Sequence, residues 1–457
     1  MSTQCLVIAD ADKIHEYVFS PRKLKLIRGG SEIERQLNQR DLLLALSSLG
    51  TGNLRGTNIE EAPTVDSGAD WEVVFAGGGT VMCHFADRAK AERYCEGAER
   101  QFFERTGVAT ITTSITDWQG SFKETLVLAR AGLELAKAGK QRSLFSGHTP
   151  YWKTCESCGK GSAGTGAGGS CGACEARLNA SGSESRLFQQ VNAELGGRLR
   201  EADDFEAIAA GEYMAMVYID GDSMGKYLSE HGGKSKHEYR SKSREVRKAV
   251  EGGVEKACVC IGKKLDDGAT APFEALLVGG DDAIVAVRAH HAMDFLMEFE
   301  DQWKLKDANY SAGIVWAHHH FPVSQFLEHA EALLRSAKRK RKVNSADFRV
   351  ITEAMAEAEA DREEDLTTAK PYAVADLRTL LGGVRAWKTK GVAANKINEL
   401  YRIAFEPEHQ AKVNYEFLLS RLGTNRVDVE GVVGKALTDP STGKTRAADA
   451  VELWSFV

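Results

Sequence analysis

The feature that most constrains the fold of this chain is a repeat within its own sequence. The segments VIADADKI (7–14) and VYIDGDSM (217–224) each end an apolar run with Asp-x-Asp. In both copies a second apolar run follows and reaches a glycine-rich turn, in VVFAGGGTVMCHF (73–85) and ALLVGGDDAIVAV (275–287). Two apolar runs joined by a tight glycine-containing connection are typical of a β-hairpin. The two parts of the chain are therefore expected to share one fold.

The repeat continues beyond the hairpins. A β-rich segment follows in each copy, and then an amphipathic helix that ends in Ala-Lys. These β-rich segments are GVATITTSIT (107–116) and NYSAGIVWAHH (309–319). The separation is 60 residues between Gly77 and Lys137 and 59 residues between Gly279 and Lys338. Each copy thus predicts the order β-α-β-β-α-β, so the fold class is α+β with two ferredoxin-like domains.

We predict four regions along the chain. They are a first copy (1–150), an inserted cysteine-rich module (151–190), a second copy (191–350) and a helical carboxy-terminal domain (351–457). The last region begins with an acidic, alanine-rich segment, 353–371, that we interpret as a helix or linker. After Tyr372 the apolar residues recur at helical spacing, as in Ile397, Leu400 and Ile403.

Composition excludes several classes of protein. With 43% hydrophobic and 27% charged residues, the chain is expected to be globular with a sizeable core. The net charge of -6 carries no global nucleic-acid signature, so RNA or DNA would have to bind local basic patches. The amino terminus does not have the pattern of a secretory signal, and no apolar stretch reaches the length of a membrane helix. We expect a cytoplasmic protein.

Four of the nine cysteines form two CxxC pairs, Cys155, Cys158, Cys171 and Cys174. Two such pairs can complete a closed tetrahedral site for structural zinc, whose binding would replace a hydrophobic core in the glycine-rich module. The alternative is two disulfides or free thiols, which a reducing compartment disfavours. The other cysteines are predicted to be core residues: Cys5, Cys83, Cys95, Cys258 and Cys260.

Adjacent carboxylates, Asp281 and Asp282, interrupt the apolar run of the second hairpin. Successive strand residues point to opposite faces, so at most one of the two can face the core. If the strand that ends in Asp220 and Asp222 lies beside the hairpin as a parallel strand, these carboxylates converge at one sheet end. Such a cluster needs protons or divalent cations, and Mg²⁺ or Mn²⁺ would serve two-metal phosphoryl transfer. The alternative is a plain β-turn, for which Gly-Gly-Asp-Asp is ordinary chemistry.

A nucleotide site is predicted around the same carboxylates, because glycines let the backbone approach a phosphate. The predicted nucleotide-binding residues are Gly221, Ser223, Gly225, Gly279, Gly280 and Lys338 in the second copy, and Gly77 and Gly78 in the first. In the first copy Gly79 and Thr80 replace the paired aspartates, leaving only Asp10 and Asp12. We expect that copy to be catalytically silent but able to present a second nucleotide.

Two further clusters leave alternatives open. The run SAKRKRK (336–342) favours a solvated helix end, although Lys338 could instead reach a triphosphate. The run AHHH (317–320), with His329 nearby, could be a metal cluster. It lacks thiol or acidic partners at ligand spacing, so the rim of a loop is the favoured interpretation.

Taken together, these motifs resemble the large polymerase/cyclase-like subunit of type III CRISPR effector complexes, which has two palm domains related to the GGDEF cyclases. The motifs, in the family's order, are LIRGGSEIERQL (26–37), AGGG, the CxxC…CxxC insertion, IDGDSMG, GGDD and SAGIVWAHHHFP (311–322). They cover roughly residues 1 to 350. The two copies would then be a degenerate first palm and a catalytic second palm.

The resemblance implies RNA-stimulated conversion of ATP into cyclic oligoadenylate second messengers. It implies that Asp220 and Asp282 hold the metals, that Asp281 assists at the acceptor 3′-hydroxyl, and that the first palm seats the acceptor nucleotide. The implied partners are other effector subunits, crRNA and target RNA. The chain has no His-Asp dipeptide, so the HD nuclease domain of many family members is not expected.

Two alternatives to an RNA-triggered enzyme remain open at the level of sequence. The chain could be a non-catalytic scaffold of an RNA-guided complex, or a stand-alone cyclic-nucleotide synthase. Four aspartates in one copy argue against a pure scaffold, which has no need to bear their mutual repulsion.

Overall fold

The computed structural model describes most of the chain. The described ranges are 3–54, 69–140, 153–164, 169–182, 185–340, 342–351, 368–439 and 442–457. Most of the acidic segment predicted as a helix or linker, 352–367, lies outside the described residues. No helix among the described residues is long and apolar enough to cross a membrane.

The first copy forms a four-stranded antiparallel sheet with helices. Its elements are β1 (Cys5–Ala11), α1 (Ile14–Phe19), α2 (Leu24–Gln36), a π-helical turn (Leu37–Asp41), α3 (Leu42–Ser47), β2 (Trp71–Gly77), β3 (Thr80–Phe85), α4 (Arg88–Thr106), β4 (Ile111–Asp117) and α5 (Phe122–Gly139). The strand order β2-β3-β1-β4 is that of a ferredoxin-like sheet, with β1 between β3 and β4. The predicted succession of strands and helices is confirmed.

Three short helices connect the two copies: α6 (Gly172–Ala180), α7 (Arg186–Glu194) and α8 (Phe205–Ala209). The first of them begins directly after Cys171, so the second CxxC pair lies at its amino-terminal end. It packs on α2 and α4 of the first copy. The cysteine-rich module is therefore attached to the first copy.

The second copy repeats the first sheet and extends it. Its elements are β5 (Tyr213–Gly221), α9 (Met224–His231), α10 (Lys236–Gly262), β6 (Phe273–Gly279), β7 (Asp282–Arg288), a 3-10 turn (Ala289–His291), α11 (Ala292–Gln302), β8 (Tyr310–His318), α12 (Val323–Ala337) and β9 (Ser345–Val350). The order β8-β5-β7-β6 reproduces β4-β1-β3-β2, and β9 adds a parallel strand beside β8. The sheet is thus larger than the ferredoxin-like core that the repeat predicts.

The carboxy-terminal region is helical and packs on the second copy. Its elements are β10 (Tyr372–Ala373), α13 (Val374–Thr389), α14 (Ala394–Ala404), α15 (Glu408–Ser420), a 3-10 turn (Gly423–Asn425), α16 (Arg426–Val433) and α17 (Ala447–Trp454). Strand β10 pairs with β9, and the helices share one hydrophobic core with a face of the second sheet. The predicted fold class, two ferredoxin-like domains with a cysteine module and a helical carboxy-terminal region, is confirmed.

The central strands are apolar along their whole length because both of their faces are covered. In β5, Ala215 and Val217 face the core shared with the helical region, whereas Met214 and Met216 face the core shared with the first copy. A strand buried on two faces has no reason to alternate apolar and polar residues. Four of the five remaining cysteines are buried as predicted, but Cys260 is partly exposed on α10.

The repeat extends to local backbone details. The third residue after the first aspartate is left-handed in both copies, with φ of 51° at Lys13 and 54° at Ser223. A register shift lies between Val73 and Phe75 in the first copy and between Ala275 and Leu277 in the second. Such irregularities bend a strand locally, and both begin four residues before the first glycine of the hairpin.

Candidate active site

The tips of the two hairpins touch each other. Gly78 and Gly280 have φ angles of +56° and +66°, which favour glycine. A Cβ atom on Gly78 would lie 3.4 Å from the Cα atom of Gly280. Each predicted hairpin therefore meets the other copy, and the positive φ angles, more than a lack of space, disfavour other residues at the two tips.

Four predicted carboxylates lie together at one end of the second sheet. Asp220 and Asp282 are register partners on β5 and β7, so their side chains share a face of the sheet. Asp281 lies in the turn before β7, and its carbonyl oxygen accepts a hydrogen bond from the Gly221 amide at 3.0 Å. Asp222 accepts a hydrogen bond from the Ser311 hydroxyl at 2.8 Å. The sequence interpretation erred in one respect, because β5 is antiparallel, not parallel, to the hairpin strand beside it.

The environment makes ionisation of three of these carboxylates, Asp220, Asp222 and Asp281, less favourable. Burial, followed by the charges of Asp220 and Asp282, raises the pKa of Asp281 to about 7. Burial also raises the pKa of Asp220, although Lys338 opposes this change, and it raises the pKa of Asp222. A cluster with raised pKa values is one that protons or cations would stabilise.

The first copy holds the same positions in a neutralised form. Asp10 is the register partner of Thr80, accepts a hydrogen bond from the Thr80 hydroxyl and pairs with Lys137. Asp12 accepts hydrogen bonds from Lys140 at 2.6 Å and Thr112 at 2.7 Å. Two carboxylates thus meet two lysines, and the site needs no further cation.

The second copy lacks this balance. Lys338, at the end of α12, contacts Asp220 as Lys137 contacts Asp10. Within the second copy, Lys338 is the cation that contacts a group of four carboxylates, Asp220, Asp222, Asp281 and Asp282. Several carboxylate oxygens with excess negative charge are the donor set that Mg²⁺ or Mn²⁺ prefers, so these residues fit such an ion.

Sequence reasoning missed a histidine that the first copy contributes to the site. His15 on α1 lies between two carboxylates, with Nε2 3.4 Å from Asp282 and Nδ1 3.5 Å from Glu331. Burial would lower the pKa of His15, but hydrogen bonds to Asp282 and Glu331 prevail and raise it to about 9. Only the docking of the two copies creates this contact, so no local motif could reveal it.

The other predicted nucleotide-binding residues lie around the carboxylates. Gly77 and Gly279 end the first strands of the two hairpins, and Gly221 ends β5. Ser223 precedes α9, and the carbonyl oxygen of Gly225 accepts a hydrogen bond from Arg130 of the first copy at 2.8 Å. The first turn of α9 therefore contacts the first copy.

The four predicted zinc ligands also come together. One ligand atom from each of Cys155, Cys158, Cys171 and Cys174 lies within 4.8 Å of the others. The Cys158 and Cys171 sulfurs are 3.8 Å apart, which matches the separation of about 3.8 Å that Zn–S bonds of 2.3 Å give in a tetrahedron. The geometry fits a structural zinc ion.

The module is connected to the active site through Arg177. This buried side chain donates a hydrogen bond to the Tyr17 carbonyl oxygen at 2.6 Å, stacks on the Tyr17 ring at 4.3 Å and approaches the Cys174 sulfur at 3.7 Å. Tyr17 lies two residues after His15 on α1. The cysteine cluster therefore supports the helix that brings His15 to Asp282.

Buried ion pairs join the copies reciprocally. Glu72 on β2 pairs with Arg240 of the second copy at 2.7 Å, and Glu274 on β6 pairs with Arg28 of the first copy at 2.6 Å. Both glutamates are 2% exposed. Each occupies the same position in its copy, five residues before the first hairpin glycine. A charged residue at the same place in two apolar strands is the sequence signal that could have identified these buried pairs.

Glu34 is a further buried carboxyl near the hairpins. It accepts a hydrogen bond from Asn38, and a backbone bond links it to Gly79 of the first hairpin. Burial, followed by the charge of Asp282, raises the pKa of Glu34 to about 7. Neutral donors alone hold this carboxyl, so it is best described as protonated below neutral pH.

The histidine run lies at the rim of a loop after β8, as the sequence favours. One ring nitrogen each from His318, His319 and His320 lies within 4.8 Å of the others. His329 is buried on α12 beside Phe321 and does not belong to that group.

The comparisons with known proteins agree with this architecture. Residues 213–346 match the family model for the second palm domain of Cas10/Cmr2. No curated protein sequence matches the chain.

Solved structures of Csm1–Csm4 assemblies are similar in fold. The cassette in complex with cA3 matches at 13% identity and a TM-score of 0.61, over 99% of this chain and 69% of that chain. The cassette in complex with one ATP matches at 15% identity and a TM-score of 0.58, over 94% and 69%. A Csm1–Csm4 subcomplex of the type III-A CRISPR-Csm interference complex matches at 14% identity and a TM-score of 0.56, again over 94% and 69%. The resemblance predicted from the motifs is thereby confirmed.

Proposed function

We propose that the chain is a metal-dependent nucleotidyltransferase that converts ATP into cyclic oligoadenylate-type second messengers in type III CRISPR defence. The observation that carries the proposal is the difference between the copies. The first copy balances Asp10 and Asp12 with Lys137 and Lys140, whereas in the second copy four carboxylates meet only Lys338 and His15 of the first copy among the described residues. Such an excess of negative charge destabilises a fold unless bound cations neutralise it. Its presence therefore indicates a site that binds cations and a substrate.

The proposed reaction joins an acceptor 3′-hydroxyl to the α-phosphorus of ATP. An O–P bond forms, the bond to pyrophosphate breaks, and the hydroxyl proton leaves. Asp281 is the proposed proton acceptor, since its raised pKa of about 7 suits proton transfer near neutrality. Asp220 and Asp282 would hold Mg²⁺ or Mn²⁺, which when bound lowers the pKa of the hydroxyl and offsets the charge of the triphosphate.

The remaining roles follow from position. Lys338 contacts Asp220 at the sheet end and would exchange that contact for a triphosphate oxygen. The first copy, through Gly77 and Gly78, would present the acceptor nucleotide opposite the second hairpin. Binding two nucleotides across the contact between the copies would align the reacting groups, which supplies much of the catalysis of such reactions.

The partners of the chain are also a proposal. The solved structures it resembles contain Csm1 with Csm4, and some of them hold cA3, cA4 or ATP. These neighbours support other subunits of a type III effector complex as partners of this chain. Control of the reaction by crRNA and target RNA is a separate part of the proposal, which rests on the motifs of the sequence.

The test is conversion of labelled ATP with Mg²⁺ or Mn²⁺, with and without guide and target RNA, followed by mass spectrometry of the product. Asp281→Ala combined with Asp282→Ala should abolish conversion. Asp266→Ala combined with Asp267→Ala is the matched control, because this adjacent pair belongs to the same copy but is exposed on a loop. Equal activity of both double variants, or no product under any condition, would reject the enzyme and favour a scaffold.

A further inference from the structure

A basic cavity lies between the second sheet and the carboxy-terminal helices. It has a volume of about 600 Å³. Its basic lining residues are Lys340, Lys370, Lys435, Lys444 and Arg446. Asp376 and Asp439 are the acidic residues of the same lining. Within this lining, positive charge exceeds negative charge.

One of these cations is already neutralised. The Lys370 ammonium donates hydrogen bonds to Glu452 at 2.5 Å and to the Phe348 carbonyl oxygen at 3.1 Å. The other four cations have no side-chain hydrogen bond or ion pair with the described part of the chain. They are Lys340, Lys435, Lys444 and Arg446. Four like charges from three chain segments repel one another, so an anion among them would be attracted by all four.

We propose that this cavity binds phosphate esters of nucleotide size, either a free nucleotide or a short stretch of single-stranded RNA. Lysine and arginine are the side chains that recognise phosphate oxygens. The volume lies within the range of about 300–1,000 Å³ typical of small-molecule sites. Asp376 and Asp439 reduce the charge of the four cations to a net of +2 (four minus two), about the charge that one phosphate monoester neutralises. This inference does not depend on the proposed catalytic function.

One turn of the chain, directly after α12, contributes a residue both to the cavity and to the carboxylate cluster. Lys338 contacts Asp220, and Lys340, two residues later, lines the cavity. The turn continues α12, since the Lys338 amide bonds to the Leu334 carbonyl at 3.0 Å and the Lys340 amide bonds to the Ala337 carbonyl at 2.9 Å. A phosphate held by Lys340 therefore restrains the turn that carries Lys338.

The experiment is titration calorimetry of the full chain in buffer without added Mg²⁺ or Mn²⁺, with tripolyphosphate, ATP and a ten-nucleotide RNA as separate probes. Leaving these ions out removes the cations on which binding at the carboxylate cluster would depend, and it avoids a chelator that would also strip zinc from the cysteine module. We expect binding of tripolyphosphate and ATP that weakens as salt rises. Lys435→Glu combined with Lys444→Glu should weaken it at least about tenfold, a change of about 1.4 kcal/mol.

The matched control is Lys25→Glu combined with Lys123→Glu, which reverses two exposed charges on the first copy. An equal loss in this control, or no binding by the unmodified chain at low salt, overturns the inference. RNA that competes with ATP and loses affinity in the cavity variant identifies a strand as a source of the phosphates. RNA binding that the variant leaves unchanged assigns the cavity to free nucleotides.

Folding of each variant is checked by circular dichroism, and Lys435→Gln with Lys444→Gln provides a milder pair that should lose less affinity. Asp281→Ala combined with Asp282→Ala should bind the probes without added divalent cations as the unmodified chain does. Failure of the catalytic proposal and failure of this one are thus distinguishable. The first removes turnover and leaves this cation-independent binding, whereas the second removes the binding and leaves turnover.

Discussion

The two ion pairs between the copies predict opposite results when one partner is replaced. In one pair loss of the carboxylate should cost more stability, and in the other loss of the cation should. Glu72 pairs with Arg240 at 2.7 Å and with Lys236 at 2.5 Å, so two cations share one buried carboxylate. Glu72→Gln removes the negative charge that Arg240 and Lys236 share, whereas Arg240→Met leaves the carboxylate with Lys236. Removing one partner of a buried pair costs about 3–5 kcal/mol. We expect Glu72→Gln near the upper end of that range and Arg240→Met near or below the lower end.

The other pair has the opposite composition. Arg28 contacts Glu274 at 2.6 Å and Glu201 at 3.4 Å, so two carboxylates share one buried cation. Arg28→Met strands both carboxylates, but Glu274→Gln leaves the arginine with Glu201. Here the variant of the cation should be the more damaging one. The double variant Arg28→Met with Glu274→Gln should be milder than Arg28→Met alone.

Thermal unfolding measures the asymmetry directly. At about 2–4 °C per kcal/mol for domains of this size, the losses correspond to roughly 6–20 °C in melting temperature. The four single variants are compared at one pH. The test needs only the order of their melting temperatures and no absolute free energy. Equal shifts within each pair, or the same order in both pairs, would refute the reasoning that the stranded charges set the loss.

Three further predictions concern the first copy and its module. Glu34→Gln should be more stable than the unmodified chain by roughly 3 kcal/mol at pH 8. Folding raises the pKa of Glu34 from 4.5 to about 7, so the protonated side chain contributes its full stability below pH 4.5, and this contribution is lost as the pH rises through 7. Denaturant unfolding from pH 4 to 8 tests this, and a pH-independent difference contradicts it. Gly29→Ala should destabilise the chain, since its Cβ would lie 1.9 Å from the Arg177 carbonyl oxygen. Gly30→Ala, whose Cβ would have its nearest contacts at 3.5 Å, should leave the free energy of unfolding unchanged or raise it by up to about 1 kcal/mol, as measured by thermal melts. A strong chelator should lower the melting temperature of the unmodified chain but not of Cys171→Ser, and equal responses would exclude a structural metal.

Sequence patterns predict the parts of this molecule that lie within one copy. The strands, the hairpins and the cysteine cluster follow from apolar runs, glycine turns and CxxC spacing, because each depends on neighbours a few residues away. The convergence of Asp220 with Asp282 follows as well, once both copies are assigned the same sheet. The antiparallel direction of β5 beside β7 is already implied by the ferredoxin-like order, and the parallel arrangement was inconsistent with it.

Contacts between the copies are what sequence patterns could not supply. His15 reaches Asp282 only because α1 of one copy docks against the sheet end of the other. Nothing near His15 in the sequence distinguishes it from a surface histidine. The glutamate pair is different, since Glu72 and Glu274 occupy equal positions in two apolar strands and could have been flagged as buried charges awaiting partners.

The charges of the two copies account for a first hairpin without aspartates beside a second hairpin that carries two. Thr80 replaces the carboxylate that Asp282 supplies, and its hydroxyl bonds to Asp10 together with Lys137, so the first hairpin keeps the same register without any bound cation. Its backbone can therefore sit against Gly280 regardless of metal concentration. If both copies carried the full set of aspartates, two excesses of negative charge would face each other across the hairpin contact, and the repulsion would oppose docking of the copies. Neutralising one copy removes that repulsion and leaves a single acidic centre, with His15 as the first copy's cationic contribution to it.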